Sequence, residues 1–230
     1  MAIHEVVLKS RKTVAEGTMM FSLSKPPGFS FSAGQAVDLA LVNPPAEANS
    51  SHRLFSLVSA PFEAELAVAT RMRDASAFKR ALGTLVPGAT VRLKGPLGVM
   101  TLHEDPARAA VFIAGGIGIT PFMSMLRQAA HDRSGHRFFL LYSNRNPEQA
   151  AFLNELQDLA RQYDRFRLLA RMTDLDGFID EETVKGFTSS AESPLYYLAG
   201  PPAMADAMTR ILRSSGIRDE DISSEEFYGY

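Results

Sequence analysis

A glycine-rich segment after an apolar run has the residue types of a phosphate-binding turn. The run Val111–Ala114 contains β-branched and aromatic residues, which is typical of a buried strand. Residues 115–119 follow with three glycines, and Thr120-Pro121 then offers a preferred helix N-cap and a preferred first helical residue. Free backbone N–H groups and the helix dipole at such a turn attract anions, so the segment predicts a phosphate site. A plain tight turn between strand and helix is the alternative.

A second group of chemically capable residues is Arg53-Leu54-Phe55-Ser56, in a stretch that is predicted to be a strand. A guanidinium pairs with phosphate, an aromatic ring stacks on a planar ring system, and a hydroxyl can hydrogen-bond a ring nitrogen. Together these residue types could hold a planar, anionic cofactor. On these four residues alone, an ordinary strand with an exposed arginine and a core phenylalanine is favoured.

The composition fits a globular protein and excludes several kinds of chemistry. Of the 230 residues, 46% are hydrophobic and 22% are charged, and the net charge of −2 gives no indication of nucleic-acid binding. The sequence has no cysteine, which excludes disulfides, thiolate nucleophiles and cysteine-bound iron–sulfur clusters within it. The five histidines show no metal-ligand spacing, so no metal site is predicted. No signal-peptide pattern or apolar run of transmembrane length is present, and we expect a cytoplasmic protein that does not bind membranes.

The pattern of elements changes near residue 102. Residues 1–102 carry short strand-like runs broken by turns, which predict a small antiparallel β-barrel. Residues 103–230 alternate strands and helices, which predicts a doubly wound parallel α/β domain. We therefore expect an α+β protein of two domains with these bounds. In the second domain, strands are expected over 109–113, 137–142, 166–171, 194–198 and 223–228, and helices over 121–131, 147–161, 180–185 and 202–214.

Together these segments resemble the ferredoxin–NADP reductase superfamily, whose members pair a flavin-binding barrel with a nicotinamide-nucleotide domain. Residues 53–56 match its Arg-x-Tyr-Ser flavin motif, and residues 115–121 match its Gly-Gly-x-Gly-x-Thr-Pro nucleotide loop. The further matches are the Gly-Gln signature in 31–35, the Gly-Pro-x-Gly turn in 94–98, the Cys-Gly-Pro-Pro-x-Met turn in 199–204 and the acidic–aromatic end in 225–230. The motifs occur in the family's order over nearly the whole chain.

The resemblance implies a flavin in the first domain, FAD rather than FMN by the majority of the family. Arg53 would bind the flavin phosphate, Phe55 would stack on the isoalloxazine and Ser56 would lie near flavin N5. Phe55 stands where the family usually has tyrosine, which keeps a stacking ring and removes a hydroxyl. The implied cofactor-binding residues of this domain are Arg53, Leu54, Phe55, Ser56, Thr70, Arg71, Met72, Ala75, Ser76 and Ala77.

The resemblance also implies NADPH or NADH as the substrate bound by the second domain. The residues implied to hold the nucleotide diphosphate are Gly116, Gly118 and Thr120. Those implied to border the nicotinamide are Gly200, Pro201 and Met204. Phe227 or Tyr228 would cover the flavin face until nicotinamide displaces it, and the implied catalytic residues are Ser56, Glu225 and Phe227. Ala199 replaces the family's common cysteine beside the nicotinamide.

The second predicted strand of this domain ends in Ser143-Asn144-Arg145. An acidic residue at this place would bind a ribose 2′-OH, whereas an arginine accommodates a 2′-phosphate. Because no acidic residue stands there, Ser143 and Arg145 favour NADPH over NADH. Stacking of Arg145 on adenine without discrimination is the alternative.

The implied reaction is hydride transfer from NAD(P)H to FAD, followed by electron transfer to a protein acceptor such as ferredoxin or flavodoxin. Two alternatives stay open. The chain could be the reductase component of a multi-protein oxygenase, which without cysteines would need a separate iron–sulfur protein. It could also be a non-enzymatic flavin electron-transfer subunit, although the intact turns at Thr120-Pro121 and Gly200-Pro201 argue against that.

Overall fold

A computed structural model describes residues 2–46 and 51–227 of the chain. The chain divides into two compact units. The first unit comprises the residues up to Thr101 together with Thr120–Gln128, and the second comprises Leu102–Ile119 together with the residues from Ala129 onward. Each unit is built on its own sheet, and the assignment of a flavin to one and a nucleotide to the other stays a prediction at this point.

The first unit contains a six-stranded antiparallel sheet in the order β4-β3-β6-β1-β2-β5. Its strands are β1 (Ile3–Ala15), β2 (Thr18–Ser24), β3 (Ala36–Leu41), β4 (His52–Ser56), β5 (Glu65–Arg71) and β6 (Thr90–Leu97). The two edge strands approach each other, because Leu57 and Val68 form an antiparallel bridge and the Val58 N–H donates to the Ala67 carbonyl at 2.8 Å. The sheet is therefore barrel-like, as the sequence predicts.

One helix, α1 (Ala77–Thr84), packs its apolar side chains into the core of this first unit. Phe78 and Leu82, four residues apart and thus on one helix face, are both buried. They join the inward-facing residues of the strands, among them Val37 and Leu39 of β3, which alternate with more exposed neighbours. This packing fixes where the start of α1 lies relative to β4 and β5.

The second unit contains a five-stranded parallel sheet in the order β11-β10-β7-β8-β9. Its strands are β7 (Ala110–Gly115), β8 (Phe138–Asn144), β9 (Phe166–Met172), β10 (Leu195–Gly200) and β11 (Ile222–Glu226). Every residue of β7 is buried, which explains its continuous apolar run, since a central parallel strand is covered on both faces. The predicted doubly wound parallel sheet is confirmed.

Helices follow the strands of this sheet in alternation. They are α2 (Thr120–His131), α3 (Leu153–Gln162), α4 (Thr173–Asp176), α5 (Glu181–Phe187) and α6 (Pro202–Ser214). Ile113 of β7 belongs to a core cluster with Val184 of α5 and Met208 of α6. Within residues 2–46 and 51–227, no helix has the length and apolar character needed to cross a membrane.

The helix predicted over 147–161 is interrupted in the structure. A 3₁₀ turn covers Pro147–Gln149, and α3 begins only at Leu153. Phe152 has φ +61, in the left-handed region, and its side chain is buried. The Tyr142 hydroxyl donates to the Ala151 carbonyl at 3.0 Å, so this carbonyl has a partner outside the helix. Tertiary packing around these residues overrides the helical pattern of the sequence.

Candidate functional site

In the first unit, the segments predicted to bind a cofactor come together around the start of α1. The Arg53 guanidinium carbon lies 5.4 Å from the centroid of the Phe78 ring, and the Phe55 and Phe78 rings are 6.3 Å apart. The Lys79 ammonium donates to the Arg71 carbonyl at 3.0 Å. The end of β4, the end of β5 and the first turn of α1 therefore form one site, which we call the α1 site.

Ser76 caps the helix at the α1 site. Its backbone is extended, with φ −97 and ψ 103, and its side-chain oxygen accepts a hydrogen bond from the Lys79 N–H at 3.3 Å. Ala77 is the first helical residue, and Ala75 precedes the cap on the exposed surface. The positive end of the helix dipole thus lies among the predicted cofactor-binding residues.

Lys79 adds a further positive charge to this site. From the sequence alone, Lys79 could bind a flavin phosphate or an acidic electron acceptor, but a solvated face is favoured. Burial, together with the nearby positive charges of Arg73 and Arg53, lowers the pKa of Lys79 from 10.5 to about 8. The spacing of Lys79 indicates a place near the phosphate, because Lys79 stands three residues after the cap Ser76 and so belongs to the first helical turn.

The other residues of the Arg53–Ser56 motif differ in exposure. Leu54 is 57% exposed, whereas Phe55 and Ser56 are buried in the unit. Phe55 belongs to the hydrophobic core cluster, so its stacking on an isoalloxazine stays a prediction. Thr70 is buried at the end of β5 and Met72 packs against the same core. The positive charges of Arg53, Arg73 and Lys79 lie around the capped start of α1. This arrangement fits an anionic diphosphate, such as that of FAD.

In the second unit, two glycine turns pack against each other at the carboxyl edge of the sheet. The first is the 3₁₀ turn Gly116–Ile119 after β7, in which Gly116 has φ +52. A Cβ added to Gly118 would lie 2.2 Å from the Ala199 carbonyl oxygen at the end of β10. A Cβ on Gly200 would likewise lie 2.7 Å from the Met204 Cε. Gly118 requires glycine because the backbone of the other turn approaches so closely, whereas the Met204 Cε near Gly200 is the end of a flexible side chain.

This close contact extends to the other predicted nicotinamide residues of the second unit. A Cβ on Gly115 would lie 2.5 Å from the Met204 sulfur and 2.9 Å from the Pro201 ring. Pro201 and Met204 therefore pack directly on the strand end that leads into the glycine turn. The structure brings Gly116, Gly118, Gly200, Pro201 and Met204 together, as the resemblance implies.

The end of β8 lies beside the same glycine turn. Ser143 pairs in register with Gly115, and the exposed Arg145 follows two residues later. The Asp174 N–H donates to the Arg145 carbonyl at 3.1 Å, which ties α4 to this edge. Asn144 lies between Ser143 and Arg145 in the sequence. It is buried, and it is not among the site residues that the sequence predicts.

Thr120 occupies a different place from the one predicted. The sequence suggested an N-cap, but the 3₁₀ turn leads directly into α2 and Thr120 is already its first residue. Its side chain is buried, with 1% exposure, and the contact division places it in the first unit. Its contact with a nucleotide diphosphate stays a prediction.

The C-terminal strand brings two predicted catalytic residues to the carboxyl edge of the second sheet. The Phe227 N–H donates to the Gly200 carbonyl at 2.9 Å, and Glu225 pairs in register with Ala199. Burial raises the pKa of the Glu225 carboxyl above its ordinary value, so this group holds a proton more readily than an exposed glutamate. Tyr228 lies outside the described residues.

Comparisons with known proteins agree with this arrangement. Residues 112–210 match the family model described as the oxidoreductase NAD-binding domain. A ferredoxin–NADP reductase B of Sorangium cellulosum is 36% identical over 152 residues, which are 65% of this chain and 60% of that protein. In sequence, the chain is therefore similar to members of the ferredoxin–NADP reductase superfamily. The reductase component of a propane 2-monooxygenase of Rhodococcus jostii is 26% identical over 88% of this chain and 57% of that protein.

A solved member of this superfamily shares the fold over almost its whole length. The ferredoxin–NADP⁺ reductase of Neisseria gonorrhoeae, crystallised with FAD and NADP, superposes with a TM-score of 0.80 at 21% identity. The match covers 97% of this chain and 98% of that protein. By contrast, the chain spans only about three fifths of the length of the two curated relatives named above.

Proposed function

We propose that this chain is a member of the ferredoxin–NADP reductase superfamily, a reductase that transfers hydride from NAD(P)H to FAD and then passes electrons to a protein acceptor such as ferredoxin or flavodoxin. One observation carries the proposal. The chain combines a cationic helix start beside an Arg-x-Phe-Ser motif with two glycine turns packed at the carboxyl edge of a parallel sheet. The first arrangement suits a flavin diphosphate and the second suits a dinucleotide.

In this proposal the α1 site holds FAD, which when bound supplies the capacity to accept two electrons with a hydride and release them singly. Arg53 and Lys79 neutralise the diphosphate charge, and the capped start of α1 donates backbone N–H groups to it. Phe55 supplies the aromatic surface, and Ser56 supplies a hydroxyl for the ring. These residues bind and orient, and the cofactor carries the redox chemistry.

The nucleotide is held by the second unit in this proposal. Gly116 and Gly118 let the backbone approach the diphosphate closely, while Pro201 and Met204 border the nicotinamide. Glu225, whose pKa is raised by burial, lies at the edge beside Ala199 and takes up a proton more readily than an exposed glutamate. These groups would position the dinucleotide.

We infer that NADPH is preferred over NADH, because Ser143 and the exposed Arg145 supply a hydroxyl and a cation where a 2′-phosphate would lie. Measured affinities for NADP⁺ and NAD⁺ test this inference. The cytoplasmic location stays a prediction from the sequence.

The experiment that tests the proposed function begins with the bound pigment. We expect the purified protein to bind FAD, identified by extraction and chromatography, and to catalyse NADPH-dependent reduction of protein acceptors. Rates with a ferredoxin, a flavodoxin, cytochrome c and free flavin would identify the class of acceptor. A protein that neither binds FAD or FMN nor reduces any of these acceptors with NAD(P)H contradicts the proposal.

A second candidate is the reductase component of an oxygenase. The propane 2-monooxygenase relative, whose name assigns it this part, supports it. These 230 residues contain no cysteine, so an iron–sulfur centre outside them would have to receive the electrons. Faster reduction of an iron–sulfur protein isolated from an oxygenase system than of flavodoxin would favour this candidate.

A further inference from the structure

Asn144 carries a buried polar group that the fold itself leaves unsatisfied. It is the last residue of β8, and its side chain is only 6% exposed. Within residues 2–46 and 51–227, its amide nitrogen Nδ2 has no hydrogen-bond partner. A buried donor without an acceptor is destabilising, and such groups are rare in native proteins. A buried unpaired donor therefore indicates a possible functional role, such as contact with a ligand.

The position of Asn144 places this donor at the glycine turn of the second unit. Gly115 and Ser143 are the last paired residues of β7 and β8, so Asn144 lies one step further, level with Gly116. The end of β8 contacts the Gly116–Ile119 turn. Asn144 shares a strand face with Tyr142, because side chains two residues apart point the same way.

The polar side chains next to Asn144 already have partners within the protein. The Tyr142 hydroxyl donates to the Ala151 carbonyl at 3.0 Å, and the Asn146 side chain accepts from the Gln149 N–H at 3.1 Å. Another buried side-chain nitrogen without a partner among the described residues is His136 Nε2. The His136 ring is nearly perpendicular to the His103 ring, with 4.8 Å between their centroids, so this histidine packs against another aromatic ring. Asn144 has no comparable explanation within the fold.

We propose that the Asn144 side-chain amide donates a hydrogen bond to the diphosphate of the bound nicotinamide nucleotide. The proposal rests on the proposed function, since it adds one residue to that nucleotide site. A phosphate oxygen at the Gly116 turn supplies the acceptor that the fold lacks, and a buried amide gives a strong hydrogen bond because water does not compete for it. The free energy that the free protein loses by burying this donor is thereby regained when the nucleotide binds.

Replacement of Asn144 by leucine, which has a similar size and lacks polar atoms, tests this proposal. The measurements are the dissociation constant of NADP⁺, by calorimetry with the FAD-loaded full chain, and the unfolding temperature without nucleotide. For Asn144→Leu we expect binding weakened about tenfold, as for one lost hydrogen bond, with the unfolding temperature unchanged or raised. Asn144→Asp, which places a carboxylate near phosphate, should weaken binding further.

Asn154→Leu is the matched control, because Asn154 is exposed on α3 of the same unit. It should leave the dissociation constant unchanged. The proposal is overturned if Asn144→Leu binds NADP⁺ as tightly as the parent protein, whatever its unfolding temperature. A parent protein that binds neither NADP⁺ nor NAD⁺ would instead contradict the proposed function itself.

Discussion

Lys79 shows how its surroundings adapt a single side chain to an anion. Its ammonium is half-buried, donates to the Arg71 carbonyl and lies near the positive charges of Arg73 and Arg53. The pKa of Lys79 is therefore lowered to about 8 in the free protein. A bound diphosphate reverses the electrostatics, because it favours the charged form of the lysine.

The first prediction concerns the pH dependence of FAD binding. Because the diphosphate raises the pKa of Lys79 from its value of about 8, binding takes up a proton and affinity should fall as the pH rises through 8. Lys79→Met should weaken binding below this pH and flatten the profile above it. Quenching of flavin fluorescence in titrations of the apoprotein measures both effects. Lys12→Met, at an exposed position of β1, is the control and should keep the parent profile.

The sequence predicts some of these residues and not others, for physical reasons. Arg53 and Gly118 stand in motifs whose local spacing carries the signal. Lys79 and Asn144 depend on burial, which is produced by segments distant in the chain. A lysine in a helix and an asparagine after a strand are common on surfaces, so only the packed structure distinguishes them.

At the scale of elements, the two glycine turns form the most constrained part of the second unit. Gly118 lies against the Ala199 carbonyl with no room for a methyl group. The sequence predicts both turns, because each follows an apolar run that is a buried strand. It does not predict that they touch, since their contact depends on the pairing of β7 with β10.

The second prediction tests this constraint. Gly118→Ala places a Cβ 2.2 Å from the Ala199 carbonyl oxygen, so one of the two turns must move. We expect a loss of stability of about 2 kcal/mol or more and a loss of nucleotide binding of at least about tenfold. Urea unfolding and NADP⁺ titration measure the two effects.

Gly186→Ala is the matched control for this substitution. Gly186 lies in α5, and a Cβ there meets nothing within 4 Å. Alanine in place of glycine in a helix stabilises by roughly 0.5–1 kcal/mol, so this variant should be at least as stable as the parent. Equal nucleotide binding by Gly118→Ala and the parent would show that the turn tolerates displacement and does not hold the diphosphate.

Other elements show where sequence patterns carry no signal. Strand β1 runs over Ile3–Ala15 and is therefore longer than the short strand-like runs that the sequence indicates in residues 1–102. Its second half is largely exposed on both faces, so no alternation of apolar and polar residues marks it. Helix α4 was not predicted either, because its four residues are too few to show a helical period.

The segment that leads into β7 is fixed by a half-buried histidine, His103. His103 Nε2 donates to the Arg108 carbonyl at 3.1 Å, so in the neutral ring Nδ1 accepts from the Tyr197 hydroxyl at 2.9 Å. The His136 ring packs edge-on against His103. Burial lowers the pKa of both histidines below the ordinary value of 6.5. The neutral forms are therefore the native ones.

The third prediction follows from these lowered pKa values. Below pH 6.5 the unfolded chain takes up protons on these histidines, whereas the native chain does so only at lower pH. The contribution of the two histidines to the free energy of unfolding should therefore be fully present above pH 6.5 and fall as the pH drops below it. Thermal unfolding as a function of pH measures this loss. His136→Phe should reduce it, whereas His131→Gln, at the exposed end of α2, should not. An identical acid profile for His136→Phe and the parent would contradict the assignment.

At the scale of the whole molecule, two units with separate sheets carry the two proposed anion sites within 230 residues. The change from short strands to alternating strands and helices is visible in the sequence, and the fold class follows from it. The physiological acceptor leaves no comparable pattern, because the surface that meets a protein partner has no required motif.

The fourth prediction concerns the cofactor and the whole chain. Removal of FAD by mild denaturant or acid ammonium sulfate should abolish NADPH oxidation, and added FAD should restore it. Treatment with a metal chelator should leave the activity unchanged, because electrons reach the acceptor from the flavin. Persistent NADPH oxidation by the flavin-free protein would contradict the role given to the α1 site.

The most direct test of the central claim is anaerobic rapid mixing of the FAD-loaded protein with NADPH or with NADH, observed through the flavin absorbance. We expect the absorbance of the oxidised flavin to disappear within a single turnover, faster with NADPH than with NADH. A flavin that stays oxidised with both nucleotides, in protein that binds them, would contradict the claim that this chain transfers hydride from a nicotinamide nucleotide to FAD.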